Sequence, residues 1–458
     1  MHHQIQRQPR TQPPAPPVRR RGTVLVMTAI SLTASVAMLA LVMESSRMMA
    51  RSSEVQIAAD STALVAAQML NQGSTTSTAR LAAVNFGSAY NGVSSGAYSL
   101  NFPPASGPFA GQQGYVESLV SSSYSTPLAT VLGGTRNTTL HARAVAGPKA
   151  MPWPDLILAL DPESIPGITG SGTGQLRVEG AVRANSRGGG LDEKGQPITG
   201  ATGFGVELVQ AGRMLASQVR VCGGVNDPTY FSGLSGSSPN PLVCRVGTTL
   251  DPFRNLPTPT AAFGVSILLR GEGRSTSPST NLTLRPGLYT NILVTAGTVT
   301  FQPGIYVIRG GSLTLTGGNI SGQGVMFYLT GTDYNALYGT PDNADGENTP
   351  SSSTTMGGVT ISTRVNLTGL NNSSSPFNGM LIHSRRFNTN PLIIASNQTS
   401  GSLNGTVYSK WGPLTLSGTG VYNIQAIVRR ATWNGSGSLT LTRESATFIS
   451  STQVYLLE

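Results

Sequence analysis

Twenty-one consecutive uncharged residues, Thr23 to Met43 (TVLVMTAISLTASVAMLALVM), constrain this chain more than any other feature. About 20 apolar residues are what a helix needs to cross the hydrocarbon core of a bilayer. Arg7, Arg10, Arg19, Arg20 and Arg21 precede the run, no acid occurs in residues 1–22, and Glu44 ends it. Pro9, Pro13, Pro14, Pro16 and Pro17 exclude regular helix from that arm. The arginines fix the orientation, because basic flanks stay cytoplasmic. A cleaved signal peptide is the rival reading. The run is long for one, and no convincing small-x-small cleavage site follows the run before Glu44. The expectation is a disordered basic cytoplasmic arm over 1–22 and a retained, single-pass transmembrane helix over 23–43. The lipid bilayer is then the first partner, and the C-terminal region is periplasmic or extracellular.

Few helix breakers and many alanines follow the span, so one helix is predicted over 23–70. Glu44 and Arg47 lie three apart, as do Arg51 and Glu54, so each pair can meet on the helix surface. Ala59, Ala63, Ala66, Ala67 and Leu70 form a small-residue face that permits close helix approach. It would pack either on its own following domain or between molecules. A second helix is predicted over 77–90, and two strands between Tyr115 and Ala146 around Pro127. Together they make a small α+β stem over 44–147. Gly147-Pro148-Lys149 and Pro152-Trp153-Pro154 suggest a linker over 148–154.

Arg21-Gly22, the apolar helix, Glu44-Ser-Ser-Arg47 and the stretch Gln56-Ile-Ala-Ala59-Asp60-Ser-Thr-Ala63-Leu64-Val-Ala66-Ala67 resemble the N-terminal domain of TadG-like Flp (tight adherence) pilus-assembly proteins. The likeness covers about residues 20–70. The family more often has aspartate where Glu44 stands. A fainter likeness extends to Tyr115-Val-Glu-Ser-Leu-Val and His141-Ala-Arg-Ala-Val-Ala. The junction at Gly22 is also similar to a type IV prepilin leader, but Met27 stands where prepilins carry glutamate. The resemblance implies a bacterial envelope protein with other Flp/Tad assembly proteins as partners. It gives Gly22, Glu44, Arg47, Gln56, Ala59 and Asp60 a structural role. Many relatives carry a von Willebrand A domain, whose metal motif is Asp-x-Ser-x-Ser. Here Asp161 is followed by Glu163 and Ile165 at the serine positions, and no α/β alternation follows, so that domain is not expected.

From Asp155 onward short alternating strands are punctuated by Gly, Asn, Ser and Pro. Leu-Thr-Leu recurs at 282–284, 313–315, 414–416 and 439–441, and Pro-Gly-x-Tyr at 286–289 and 303–306. Spacings of about 15–25 residues between equivalent strands suggest stacked coils, each burying Leu, Ile or Val against its neighbours. The fold class expected is therefore mainly β with an N-terminal α-helical anchor: the 155–458 region a right-handed β-helix-like solenoid, with a β-sandwich as the alternative. Cys222 and Cys244 are the two cysteines. In an oxidising compartment they are expected to form one bridge, worth about 3 kcal/mol by loop closure.

Chemistry is sparse. The net charge of +10 reflects few carboxylates (20 against 30 Lys and Arg), and no nucleic-acid module accompanies it. His2 and His3 lie in the arm, and His141 and His383 in strands without a spaced partner, so satisfied structural histidines are expected there. No nucleophile elbow, P-loop or zinc-protease motif occurs. Between Glu347 and Glu444 there is no acid, while Arg364, Arg385, Arg386, Lys410, Arg429 and Arg430 lie in that stretch. That composition disfavours a glycosidic carboxylate pair and permits contact with anionic surface polymers, although a solvated face is the plainer reading. Asp333, Asp342, Asp345 and Glu347 surround a glycine turn in a spacing unlike an EF-hand. A solvated loop is the plainer reading and calcium the sharper one. No catalytic residue, metal ligand or cofactor is assigned. Two functions remain open: an adhesive or scaffolding pilus-assembly component, and a membrane-tethered polysaccharide-active enzyme.

Overall fold

The computed structural model describes residues 21–71, 74–127, 130, 134–199, 201–210, 212–235, 240–340, 354–399, 402–443 and 448–458. The basic arm before Arg21 therefore lies outside the described residues, as do Asp342, Asp345 and Glu347. The chain is mainly β and divides into two units: residues 1–149 with 453–458, and residues 150–452.

In the first unit α1 (Arg21–Asn71) is one unbroken helix of 51 residues, about 76 Å long. Its N-terminal part is long and apolar enough to cross a membrane. Side chains there are exposed all round, with Leu25 at 73% and Met38 at 71%. Further along, the helix acquires a buried face. Val55, Ala58, Ala59, Thr62, Ala63, Ala66 and Ala67 are buried, and the apolar ones share a core with Ala83, Val116, Val120 and Ala144. The small-residue face is thus covered within the chain. Helix α2 (Thr76–Tyr90) is capped by the Thr75 hydroxyl, which accepts from Thr78 N at 3.3 Å. The strands are β1 (Tyr98–Asn101), β2 (Val116–Ser125) and β3 (Asn137–Pro152), joined by Ser450–Leu456 as the fourth strand of the sheet. β2 and β3 pair antiparallel with Val116 opposite Ala146, so the two motifs of the fainter likeness are neighbours.

Two expected boundaries differ. Residues 148–152 continue β3 rather than forming a linker, since a proline is tolerated toward a strand's end. The last strand, expected to belong with 155–458, contributes to the first unit instead. Residues 150–452 are therefore inserted in the chain between the third and fourth strands of that sheet.

The second unit is built from parallel ladders. Among its named strands the one antiparallel pairing described joins Gly190–Leu191 to Pro197–Ile198. The parallel order is not that of a sandwich of antiparallel sheets. Each strand typically pairs with one about three strands on, so that three ladders form. One ladder aligns Leu313, Val359, Leu392, Leu414, Ala431, Ile168 and Val206, all buried. Every Leu-Thr-Leu lies in a strand. In Leu313–Leu315 and Leu414–Ser417 the leucines point inward and the threonine outward, as the two-residue period requires. The Pro-Gly-x-Tyr motifs start strands Gly287–Val294 and Gly304–Arg309. In both, the tyrosine hydroxyl reaches four residues back, Tyr289 to Arg285 O at 2.6 Å and Tyr306 to Gln302 O at 2.7 Å.

The stack does not follow chain order. Its last coil, with Gly420–Val428, pairs with its first strand, β4 (Asp155–Ala159), through Leu158 and Ile427. Beyond this seam β5 (Ile168–Ser171) and β6 (Gln175–Ala184) continue the ladders toward Arg213–Val221. The first coils therefore extend one end of the stack, while Leu269–Ser275 begins the other. Residues 244–268 must run the length between them, and they do so as a strap over one face.

Candidate functional site

The strap gives one ladder two cores. Inward, this ladder buries Phe327, Ile382, Val407, Ala426, Ile157 and Val182 in register. Outward, it aligns Leu288, Val307, Tyr328, His383, Tyr408, Ile427 and Leu158. A parallel strand covered on both sides reads as a continuous apolar run, and Val325–Thr330 and Met380–Ser384 are buried at every position. Phe253 and Val265 of the strap join the second core, where the Phe253 ring meets Tyr408 edge-on at 5.5 Å.

A polar cluster sits under the strap. Tyr408 donates to Asp251 Oδ2 at 2.6 Å, and Asp251 Oδ1 accepts from Phe253 N at 2.9 Å. Arg386 donates to the carbonyls of Phe253 and Leu256 and, at 3.3 Å, to the Tyr408 hydroxyl. Beside it Arg385 holds Asp333 through two bonds of 2.6 and 3.1 Å. Burial pushes the Asp251 carboxyl and the Tyr408 phenol up, against the pull of Arg386 on both. Burial first, and the Arg386 cation second, hold the His383 imidazole down at about 3, so it is neutral at neutral pH. Its ring lies between those of Tyr328 and Tyr408, at 5.0 and 5.4 Å. His383 is 4% exposed and its Nδ1 has no hydrogen-bond partner among the described residues, so the expectation of a satisfied histidine fails for this nitrogen. A chamber of about 20 Å³ adjoins it, lined by Tyr328, His383, Arg385, Arg386, Thr258 and Thr340 among others. His141 does find a partner, with Nδ1 3.0 Å from Ser121 Oγ.

The cations of the acid-free stretch are largely spent inside the fold. Arg385, Arg386 and Lys410 lie inside, and Arg429 pairs with Asp161 at 2.9 Å. Of that set, Arg364 and Arg430 are exposed. Acids distant in sequence pair with Arg385 and Arg429. Asp161, the candidate metal aspartate, is bound to Arg429 and accepts from Glu163 N. Asp333, the described member of the calcium candidate, is bound to Arg385, whose hydrogen bonds lower its carboxyl. No group of three metal-ligating side chains occurs among the described residues.

Cys222 and Cys244 are unbridged, which corrects the expected disulfide. Strand Arg213–Val221 pairs with Leu242–Val243 so that Val219 faces Leu242 and Arg220 faces Val243. Continuing that register sets Cys244 level with Val221, on the buried side. Cys222 is one residue further, on the opposite side, because a one-residue step reverses the face. Burial pushes both thiols up, Cys244 to about 12.

The residues singled out in the first unit are dispersed along α1. Gly22 lies in its first turn. Ala59 is core. Gln56 donates to Asp60 at 2.7 Å and to Arg143 O at 3.2 Å. Arg51 and Glu54 pair at 2.6 Å, but Glu44 and Arg47 form no ion pair among the described residues. Glu44 is buried while Arg47 is exposed. The strongest polar centre is one that sequence reasoning missed. Glu117, in the Tyr115-Val-Glu motif, accepts from Asn101 (2.7 Å), Ala105 N (3.0 Å), Ser106 (2.8 Å) and Arg143 (2.7 Å). Arg143 also binds Glu458. Burial alone would raise the Glu117 carboxyl, but these donors outweigh it and bring it to about 2. The Glu and Arg stand in the two motifs of the fainter likeness, and their opposite charges on adjoining strands were the available signal.

Two surfaces of the second unit are open. Thr314, Thr360, Ile393, Thr415, Thr432 and Thr169 stand in register on the outer side of one ladder, all half-exposed and uncharged. Such a column repeats a hydroxyl and a methyl group about every 4.8 Å, with a break in the hydroxyls at Ile393. Nearby, a groove of about 590 Å³ is lined by Asn319, Thr363, Arg364, Asn366, Thr399 and Ser402 among others, with no carboxylate. No family model matches the chain, and neither a curated protein nor a solved structure matches it.

Proposed function

We propose that this chain is a membrane-anchored bacterial envelope protein whose second unit is a right-handed β-helix used for adhesion or scaffolding. The observation that carries the reading is the continuity of α1. One helix passes from a span exposed on every side to a face buried in a folded unit, as an anchor that is also part of a domain requires. The arginines before the span put its N-terminus in the cytoplasm and the chain that follows the span outside. Three parallel ladders with short connections support the β-helix. Its hand follows from the strong right-handed preference of parallel crossovers.

The TadG-like resemblance makes a minor, pilin-like component of the Flp/Tad apparatus the most specific form of this reading. Other assembly proteins of that system are then the partners. The threonine-rich column and the groove, whose one charged lining residue is Arg364, supply a largely uncharged, hydroxyl-rich contact surface. Asp155, Asp161, Asp251 and Asp333 are tied to arginine or tyrosine, which favours an adhesive role over glycan hydrolysis by a carboxylate pair.

Protease treatment of intact spheroplasts carrying a tag at each end of the chain tests the topology. Loss of the C-terminal tag with protection of the N-terminal one is expected. Protection of both tags, or recovery of the intact chain in the soluble cytosolic fraction, rules the reading out.

A further inference from the structure

The chamber beside His383 has the properties of a built site. Its volume of about 20 Å³ exceeds the ~10–15 Å³ that one water needs. It is polar on several sides, with imidazole, guanidinium and hydroxyl groups in its lining. His383, 4% exposed, brings to it an imidazole whose Nδ1 has no partner among the described residues.

The imidazole cannot readily turn elsewhere, because Tyr328 and Tyr408 hold it from two sides. Nor can the strap sink to fill the space. Arg386 grips the Phe253 and Leu256 carbonyls, and Phe253 N is bound to Asp251. A cation is disfavoured by the two guanidinium groups in the lining. An anion finds those guanidinium groups already engaged, Arg385 by Asp333 and Arg386 by carbonyl oxygens and Tyr408. A polyatomic ligand is too large. A neutral molecule that both donates and accepts fits the remaining chemistry.

We propose that the chamber is a binding site for one long-lived water molecule, bonded to His383 Nδ1 and to a hydroxyl of Thr258 or Thr340. It sits beside the polar clasp made by Asp251, Tyr408 and Arg386, and with Thr258 as its partner it links a rung of the ladder to the strap. Buried waters of this kind satisfy groups that the protein leaves unpaired.

The test uses the full chain in detergent micelles with ¹³C-labelled histidine rings. The chain has four histidines, so His383 is assigned by its loss in His383→Gln, or by elimination with variants of His2, His3 and His141. A water-to-ring Overhauser effect of the sign given by a water bound for longer than the tumbling time is expected at His383. A crystal structure showing ordered internal solvent should hold one peak within hydrogen-bond distance of Nδ1. No Overhauser effect at His383, or Nδ1 bonded directly to a protein atom with no solvent peak in the chamber, overturns the proposal.

Discussion

Leu158 and Ile427 are register partners in a parallel ladder although they belong to the first and last coils of the inserted unit. Their pairing sets the unit's last long strand beside its first within the stack, so that the unit begins and ends at the same seam. The glycine turns 172–174 and 435–437 lie across that seam. Gly174 N donates to Gly435 O at 3.1 Å and Gly435 N to Ser171 O at 3.2 Å. The close approach needs glycine: a Cβ on Gly174 would stand 2.0 Å from the Gly437 carbonyl oxygen.

Gly174→Ala should therefore separate the coils and destabilise the inserted unit by about 1–3 kcal/mol, the usual cost of overpacking. All three tryptophans, Trp153, Trp411 and Trp433, lie in this unit, so its denaturant unfolding can be followed by their fluorescence. Gly96→Ala serves as a comparison, since a Cβ there meets nothing within 4 Å. Equal midpoints for Gly174→Ala and the parent chain would remove the seam from the account of stability.

Much of the local structure is legible in the sequence. The helices predicted over 23–70 and 77–90 are α1 and α2, and Leu-Thr-Leu marks strands because leucine-in, threonine-out is a two-residue period. The closure between Leu158 and Ile427 was not legible, because pairing of distant strands leaves no local periodicity. The strap was missed for the same reason: nothing local to Asp251 and Phe253 shows that Tyr408, more than 150 residues on, lies against them. The cysteines misled because loop length suggests a bridge, whereas strand register decides which face each thiol takes.

Opposite faces for the two cysteines predict their reactivity. A thiol-reactive maleimide at neutral pH should modify half-buried Cys222 slowly, since burial raises its thiol, and should spare Cys244 until the chain is denatured. Mass spectrometry of the chain alkylated in denaturant without reductant should show both cysteines modified. A product lacking both adducts would mean that the bridge forms.

His383 predicts an acid sensitivity of the inserted unit. Its imidazole titrates at about 3 when folded, against 6.5 ordinarily, so the unfolded chain binds the extra proton first. The resulting stability is fully present above pH 6.5 and is lost as pH falls toward 3. Tryptophan-monitored unfolding midpoints should fall across that window in the parent chain. In His383→Phe, which keeps a ring between Tyr328 and Tyr408, the slope should flatten. An unchanged slope in a folded His383→Phe would assign the effect to other groups.

Glu117 makes the corresponding prediction for the first unit, in a lower window. Its carboxyl titrates near 2 rather than 4.5, because four donors favour the ionised form over the opposing cost of burial. The sign is that of a depressed acid: the stabilisation is present above pH 4.5 and disappears as pH falls through 2. The shift corresponds to about 3 kcal/mol, at ~1.4 kcal/mol per unit. Glu117→Gln keeps the shape but turns an amide toward groups that all donate. It should cost about that much at pH 7 and remove the dependence between pH 4.5 and 2. Both α-helices belong to this unit, so the loss of far-ultraviolet helical signal on urea unfolding follows it apart from the tryptophans. Should the variant unfold at the same urea concentration as the parent at pH 7, the Glu117–Arg143 centre would be an ornament of the sheet rather than what holds its strands and the Ala105–Ser106 turn together.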